Sequence, residues 1–162
     1  MNAIAAVSLN WGLGKDNDLL FHISEDMKRF RSLTGGGTVI MGRKTLDSMP
    51  GGKALPKRRN IVITRDPNFT REGVEVAHSI EEALELVKNE DPDKVWSIGG
   101  GQIYKALLPY CRMCYLTRVY AQPECDTFFP DLDKLPQWKL YHSEPILNDD
   151  GTDYRFVEYI QE

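Results

Sequence analysis

The chain has 162 residues, 41% hydrophobic and 27% charged, enough apolar material for one compact domain with a full core. A formal net charge of −4 argues against a nucleic-acid surface, and no apolar run approaches the ~20 residues of a membrane span. The three cysteines, an odd number, exclude a disulfide framework; Cys111 and Cys114 form a C-x-x-C, but no second pair or nearby histidine completes a metal set, so they read as core thiols of a reduced, cytoplasmic protein.

Residues 4–9 form an apolar run without a basic leader, which reads as a first buried strand rather than a signal peptide. A helix is expected over residues 24–33, where Ser24 can cap and Glu25 and Asp26 fall in the first turn. Asp26, Phe30 and Leu33 follow an i, i+4, i+7 spacing, with Met27 beside them. An acid at the edge of an apolar stripe is either a capping charge or a functional group, and the helix alone does not decide.

Residues 38–41 read as a strand that runs into Gly42-Arg43-Lys44-Thr45 and a helix over 43–48. Two cations and a hydroxyl at a helix start suit a phosphate. Lys57, Arg58 and Arg59 then form a local basic cluster, either a solvated loop or an anion site. Strands follow at 60–64, ending in Thr64-Arg65, and at 74–77. Ser79 and Glu82 make a capping box for a helix over 79–88.

A strand at 94–98 enters Gly99-Gly100-Gly101 and a helix over 101–108, closed by Pro109 and Tyr110. The glycines are either a tight turn or a seat for phosphate; the G-x-G-x-x-G fingerprint is not matched, because Tyr104 stands where its third glycine would be. Beyond residue 110 come long strand candidates at 112–120, 139–143 and 153–159, with a turn signal at 148–151. The pattern predicts a doubly wound α/β fold in one domain, 1–162: a mostly parallel sheet, helices on both faces, and a C-terminal antiparallel hairpin. Ligands collect at the carboxyl ends of strands in such sheets. Three of those ends here carry Gly, Arg or Thr, which suggests an extended, multiply phosphorylated ligand such as a dinucleotide; Arg43 and Arg65 favour NADP over NAD.

Taken in order, these segments resemble dihydrofolate reductase, of the bacterial chromosomal type, along nearly the whole chain. The strand Ile4-Ala5-Ala6-Val7 leads into residues 11–17, similar to the family's active-site loop. The acid-bearing helix, Gly42-Arg43-Lys44-Thr45, Leu55-Pro56-Lys57-Arg58-Arg59-Asn60, the turn around Gly99, Asp126-Thr127-Phe128-Phe129-Pro130 and Trp138 continue the match. The resemblance implies hydride transfer from NADPH to C6 of 7,8-dihydrofolate and protonation at N5, giving tetrahydrofolate. It implies Asp26 as the one ionised side chain of the pterin pocket, acting through a water, with Phe21 and Leu19 completing the catalytic set. Thr117 would tie Asp26 to the pterin amino group.

On the same resemblance Ile4, Ala5, Met27, Phe30, Met49, Leu55, Ile98 and Tyr104 line the pterin and benzoyl pocket, and Arg58, rather than Arg59, grips the glutamate carboxylate. Ala6, Leu13, Gly14 and Leu19 flank the nicotinamide. Gly42, Arg43, Lys44, Thr45, Thr64 and Arg65 hold the adenosine half, approximately residues 38–90, and its phosphates. Gly99, Gly100, Gly101, Gln102, Ile103 and Tyr104 cover the pyrophosphate, with a cis Gly99–Gly100 bond. Antifolates would be further ligands, no nucleic acid or membrane is expected, and a monomer is the default.

Leu20-Phe21 replaces the family's frequent Pro-Trp, which removes an indole donor near the proton path. Ser24 replaces a proline, Gln102 a phosphate-facing arginine, and residues 50–54 lengthen a loop; His22 and His78 read as rim residues. Two alternatives remain: a riboflavin-pathway reductase of a ribosyl pyrimidine, and a non-catalytic folate- or nucleotide-binding protein.

Overall fold

Val39, Ile40 and Met41 are fully buried neighbours in one strand, so successive side chains must enter apolar layers on opposite faces of the sheet. Val39 and Met41 pack with Leu46, Phe30 and Leu33, whereas Ile40 packs with Ala83, Val87 and Leu107. The computed structural model describes residues 1–16 and 18–162. It has strands β1 (Asn2–Val7), β2 (Gly12–Lys15), β3 (Asp18–Leu19), β4 (Thr38–Gly42), β5 (Arg59–Ile63) and β6 (Val74–Ala77). These are followed by β7 (Val95–Ser97), β8 (Met113–Val119), β9 (Thr127–Phe128), β10 (Trp138–Ser143), β11 (Leu147–Asp149) and β12 (Thr152–Gln161). The α-helices are α1 (Ser24–Thr34), α2 (Arg43–Ser48), α3 (Ile80–Val87) and α4 (Gly101–Leu107).

The main sheet runs β10-β12-β8-β1-β7-β4-β5-β6, with β11 also on β12. From β8 to β6 all neighbours are parallel; β12 is antiparallel to β8, and β10 and β11 are antiparallel to β12. The expected parallel sheet with an antiparallel C-terminal end is present. Helices α1 and α2 cover one face, and α3 and α4 the other, as the two core clusters show. A second small sheet, β3-β2-β9, ties the loop after β1 to residues 127–128.

One local expectation changes. Ser24 is the first helical residue, and Ile23 is the cap without a side-chain bond. Ile23 is 4% exposed, packed with Val119 and Tyr154, and its carbonyl accepts from the Met27 N–H at 3.0 Å. Burial of that side chain fixes where the helix begins, so Ser24 stays out of the cap. At α3, Ser79 does cap, accepting from the Glu82 N–H at 3.0 Å, while Glu82 reaches back to the N–H of His78 at 2.9 Å.

Candidate active site

Residue Asp26 lies in the first turn of α1, partly buried, facing β8. The hydroxyl of Thr117, itself 2% exposed, donates to its Oδ1. Strand register puts Thr117 beside Ala6 of β1 and Phe156 of β12. Burial raises the carboxyl of Asp26 above its ordinary value; the Thr117 hydrogen bond and the Arg29 charge pull the other way without cancelling it. The phenol of Tyr104 donates to the Ile4 carbonyl at 2.6 Å, and burial pushes its own ionisation far up, leaving it a fixed neutral donor.

An apolar wall stands next to the acid. Ile4 and Ile98 are buried, and Phe30, Met49 and Leu55 pack on them half-buried; Ala5 is also partly covered. Met27, one residue past the acid, is 40% exposed, and Phe21 packs on the cluster of Ile23, Val119 and Tyr154. At the end of this wall the Arg58 guanidinium lies 5.8 Å from the Phe30 ring centroid. It donates to the Thr34 hydroxyl at 3.0 Å and the Pro56 carbonyl at 3.0 Å, and has no carboxylate partner among the described residues. Arg59 is the opposite case. It binds both oxygens of Glu75, at 2.5 and 2.7 Å, and Glu90 at 3.1 Å, so its charge is spent inside the fold. Burial and the neighbouring Arg31 lower the ionisation range of Arg58, as expected for a cation lacking an anion.

On the other side of Ile98 and Tyr104, a cleft of about 450 Å³ runs along the carboxyl ends of β1, β4, β5 and β7. Ala6, Leu13, Gly14 and Leu19 line one end of it; Gly42, Arg43, Lys44 and Thr45 line another part. Gly100, Gly101, Gln102, Ile103 and Tyr104 complete it from the start of α4. The Gly99–Gly100 bond is cis, and the Gly42 N–H donates to the Gly99 carbonyl at 2.8 Å, joining two strand ends directly. Gly99 has φ +104°, and a Cβ there would lie 2.7 Å from the Tyr104 ring, so this crossing requires glycine.

Three expected cofactor residues do not line the cleft. Gly99 is buried beneath it, Arg65 points out exposed, and Thr64 is turned into its own loop, its hydroxyl accepting from the Asp66 N–H at 3.2 Å. Arg43 lies on the rim but already meets Asp66 at 3.0 Å. Asn17, the last residue of the expected active-site loop, lies outside the described residues. Lys15, Ser48, Ile63 and Thr127 line the cleft without having been assigned to the cofactor, although Lys15 and Thr127 fall in segments that carry the resemblance. Ile63 was missed by one position at a strand end, and Ser48 follows Thr45 by three residues on α2, a spacing that could have found it. Thr127 arrives through pairing with Gly14, which no local pattern announces.

A part-buried acid beside an apolar wall, next to a glycine-crossed cleft over parallel strand ends, is the arrangement of an α/β oxidoreductase-type site. The family model for dihydrofolate reductase matches residues 1–161, and the chain belongs to that family. It is 40% identical over 162 residues to the dihydrofolate reductase of Staphylococcus haemolyticus, covering 100% of this chain and 95% of that one. It is 44% identical over 152 residues to a dihydrofolate reductase type 3 of Salmonella typhimurium, covering 94% and 91%. The structure is similar to dihydrofolate reductase from Enterococcus faecalis complexed with NADP(H) and RAB-propyl, with TM-score 0.89, 33% identity, and coverage of 99% and 95%.

Proposed function

We propose that this protein reduces 7,8-dihydrofolate to tetrahydrofolate with NADPH, and that Asp26 is the acid of the reaction. The observation that carries the reading is the Asp26–Thr117 pair, a part-buried carboxyl on the helix that brings Phe30 to the apolar wall, with Ile98 common to that wall and the glycine-crossed cleft. The cleft fits NADPH by its donor set. Arg43, Lys44, the Thr45 hydroxyl and the backbone of Gly100 and Gly101 suit phosphates, and Ala6, Leu13 and Ile98 suit a flat ring. When bound, NADPH supplies the hydride that goes to C6 of the pterin.

The chain's own residues do the rest. Asp26 accepts hydrogen bonds from the pterin 2-amino group and N3, and its raised ionisation range lets it hold a proton for delivery toward N5 through a water. Thr117 fixes the carboxyl's orientation. Ile4, Ala5, Met27, Phe30, Met49, Leu55 and Ile98 exclude water from the ring, with Phe21 and Leu19 at its edge. Arg58 offers its fork to the glutamate α-carboxylate, a role supported by the absence of an internal anion partner among the described residues. That same guanidinium disfavours a ribosyl-pyrimidine substrate, which has no carboxylate tail to occupy it.

Antifolates compete for this pocket. The protein works as a monomer in the cytoplasm on small molecules, not on nucleic acid. Among the described residues no helix is long and apolar enough to cross a membrane.

Stopped-flow NADPH oxidation with dihydrofolate tests the assignment. Asp26→Asn should slow the hydride step by about 10²-fold or more, with NADPH affinity kept within about twofold. Equal losses of both would remove Asp26 from its role, and ligand binding without turnover by the folded wild type would leave a binding protein.

A further inference from the structure

The acid side of α1 carries a second ionisable group with no assigned task. Arg29 follows Asp26 by three residues and so sits on the same side of the helix, one turn on. Its guanidinium carbon lies 4.2 Å from the ring centroid of Phe156 and 5.9 Å from that of Tyr115. A cation resting on one aromatic face with a second ring nearby is held at a fixed place, and being half-buried it is poorly screened. Phe156 is the β12 residue paired with Thr117, so the platform that carries the cation adjoins the hydroxyl that holds the acid.

We propose that Arg29 is a positioning residue for the reaction: a cation fixed on Phe156 and Tyr115 that favours the ionised form of Asp26 through space, opposing the apolar pocket. The inference rests on the reading of Asp26 as the reductase acid. The charged and titratable groups around the pair come from every element packed on it. Asp26 faces Thr117 of β8, Tyr104 of α4 and Tyr154 of β12; Arg29 faces Tyr115 of β8, Glu158 of β12 and Glu144 just beyond β10. Thr117 and Arg29 favour the carboxylate, while the two phenols near Asp26 are held neutral by burial and add no competing charge at neutral pH. Arg29 stays protonated although burial lowers its range, because a guanidinium does not deprotonate in a protein. Arg29 makes no ion pair with Asp26 within 4 Å, so it leaves the acid's oxygens available to a pterin.

The consequence has a definite sign. A cation that favours the carboxylate lowers the pH at which the acid loses its proton. Removing it moves that midpoint upward and extends the low-pH plateau of the hydride step to higher pH.

The test is a titration of Asp26 followed by the ¹³C shift of its carboxyl in the ligand-free protein, with the signal assigned by its loss in Asp26→Asn. Arg29→Met keeps an apolar stem over Phe156 but removes the charge, and Arg29→Lys keeps the charge. The midpoint is expected to rise in Arg29→Met and to stay near wild type in Arg29→Lys. On the falling limb of its pH profile, the hydride step of Arg29→Met should run faster by a factor on the order of a few, with the plateau unchanged.

Coincident midpoints for wild type and Arg29→Met overturn the proposal, and so does an equal rise in both variants, which assigns the effect to packing. Should Arg29→Met not fold, Phe156→Leu releases the guanidinium from its platform and must raise the midpoint; no rise there also overturns it. The titration needs no turnover. An Asp26 midpoint that responds to Arg29 in a wild-type protein unable to oxidise NADPH with dihydrofolate would sink the reductase reading and leave the electrostatic coupling standing.

Discussion

The burial of Asp26, the acid proposed for the reaction, comes at a cost to folding. Burial holds its carboxyl above the ordinary value of 3.8, so the folded state resists the ionisation that the unfolded chain undergoes freely. The sign follows directly. Below about 3.8 both states carry the proton and the group is neutral to stability; as pH rises from there, the unfolded state ionises first and the fold loses stability until the native carboxyl ionises too. Asp26→Asn keeps the oxygen that accepts from Thr117 and removes the charge. The variant should therefore melt higher than wild type at pH 7, with the gain shrinking as pH falls toward 3.8 and vanishing well below it. Thermal melts across that range check this, and a pH-independent difference would show that burial of charge is not its source. Residues differ sharply in how much of this was legible. The spacing of Asp26, Phe30 and Leu33 put an acid on an apolar stripe without deciding its role, and adjacency alone could not separate Arg58 from Arg59, a choice that rested on the resemblance. The physical difference is the carboxylates of Glu75 and Glu90, brought by β6 and the segment after α3, which occupy Arg59. Arg29 was illegible for the same reason: Lys28, Arg29 and Arg31 look alike along α1, and only Phe156 of β12 distinguishes one.

The elements with side chains to bury announced themselves. β4 and β5 are near-continuous apolar runs, and α3 opens on its Ser79 cap, so their existence and order followed from local pattern. β2, β3 and β9 could not be read that way. They span two to four residues, β2 contains Gly12 and Gly14, and its partner β9 lies more than a hundred residues along the chain. Tertiary contact makes them strands, and the same contact seats Thr127 at the glycine-crossed cleft. The start of α4 is what β9 packs against: a Cβ on Gly101 would lie 2.9 Å from Thr127 Cγ2 and 3.1 Å from the Phe128 carbonyl oxygen. Gly101→Ala should therefore push β9 away, costing about 1–3 kcal/mol of stability by overpacking and weakening NADPH binding. Adding Thr127→Ser removes the methyl that the new Cβ meets and should recover part of both losses. A Gly101→Ala protein as stable as wild type would mean that β9 does not rest on α4.

For the whole molecule, the question is whether approximately residues 38–90, the portion expected to bind adenosine, unfold with the rest. Its strands β4, β5 and β6 form one end of the main sheet, and β10, β12 and β8 form the other. They are joined through β7, which pairs Thr38–Ile40 of β4 on one side and Asn2–Ala3 of β1 on the other. Met1 packs against two of the core clusters, one centred on Leu116 and Trp138 and one on Ile40 and Val87. The glycine-crossed cleft is shared as well, since Gly42, Arg43, Lys44 and Thr45 line it together with residues of α4 and β2. With hydrogen-bonded strands, apolar packing and a ligand all crossing the same line, we propose a single cooperative domain over 1–162. NADPH at 100 times its Kd should then stabilise the whole chain by about 2.7 kcal/mol and raise one sharp melting transition by roughly 5–10 °C. Calorimetry and far-UV circular dichroism should give coincident transitions with and without the cofactor. A second, lower transition unmoved by NADPH would separate off the antiparallel end of the sheet, whereas one confined to residues 38–90 and shifted alone would make the adenosine portion a domain of its own.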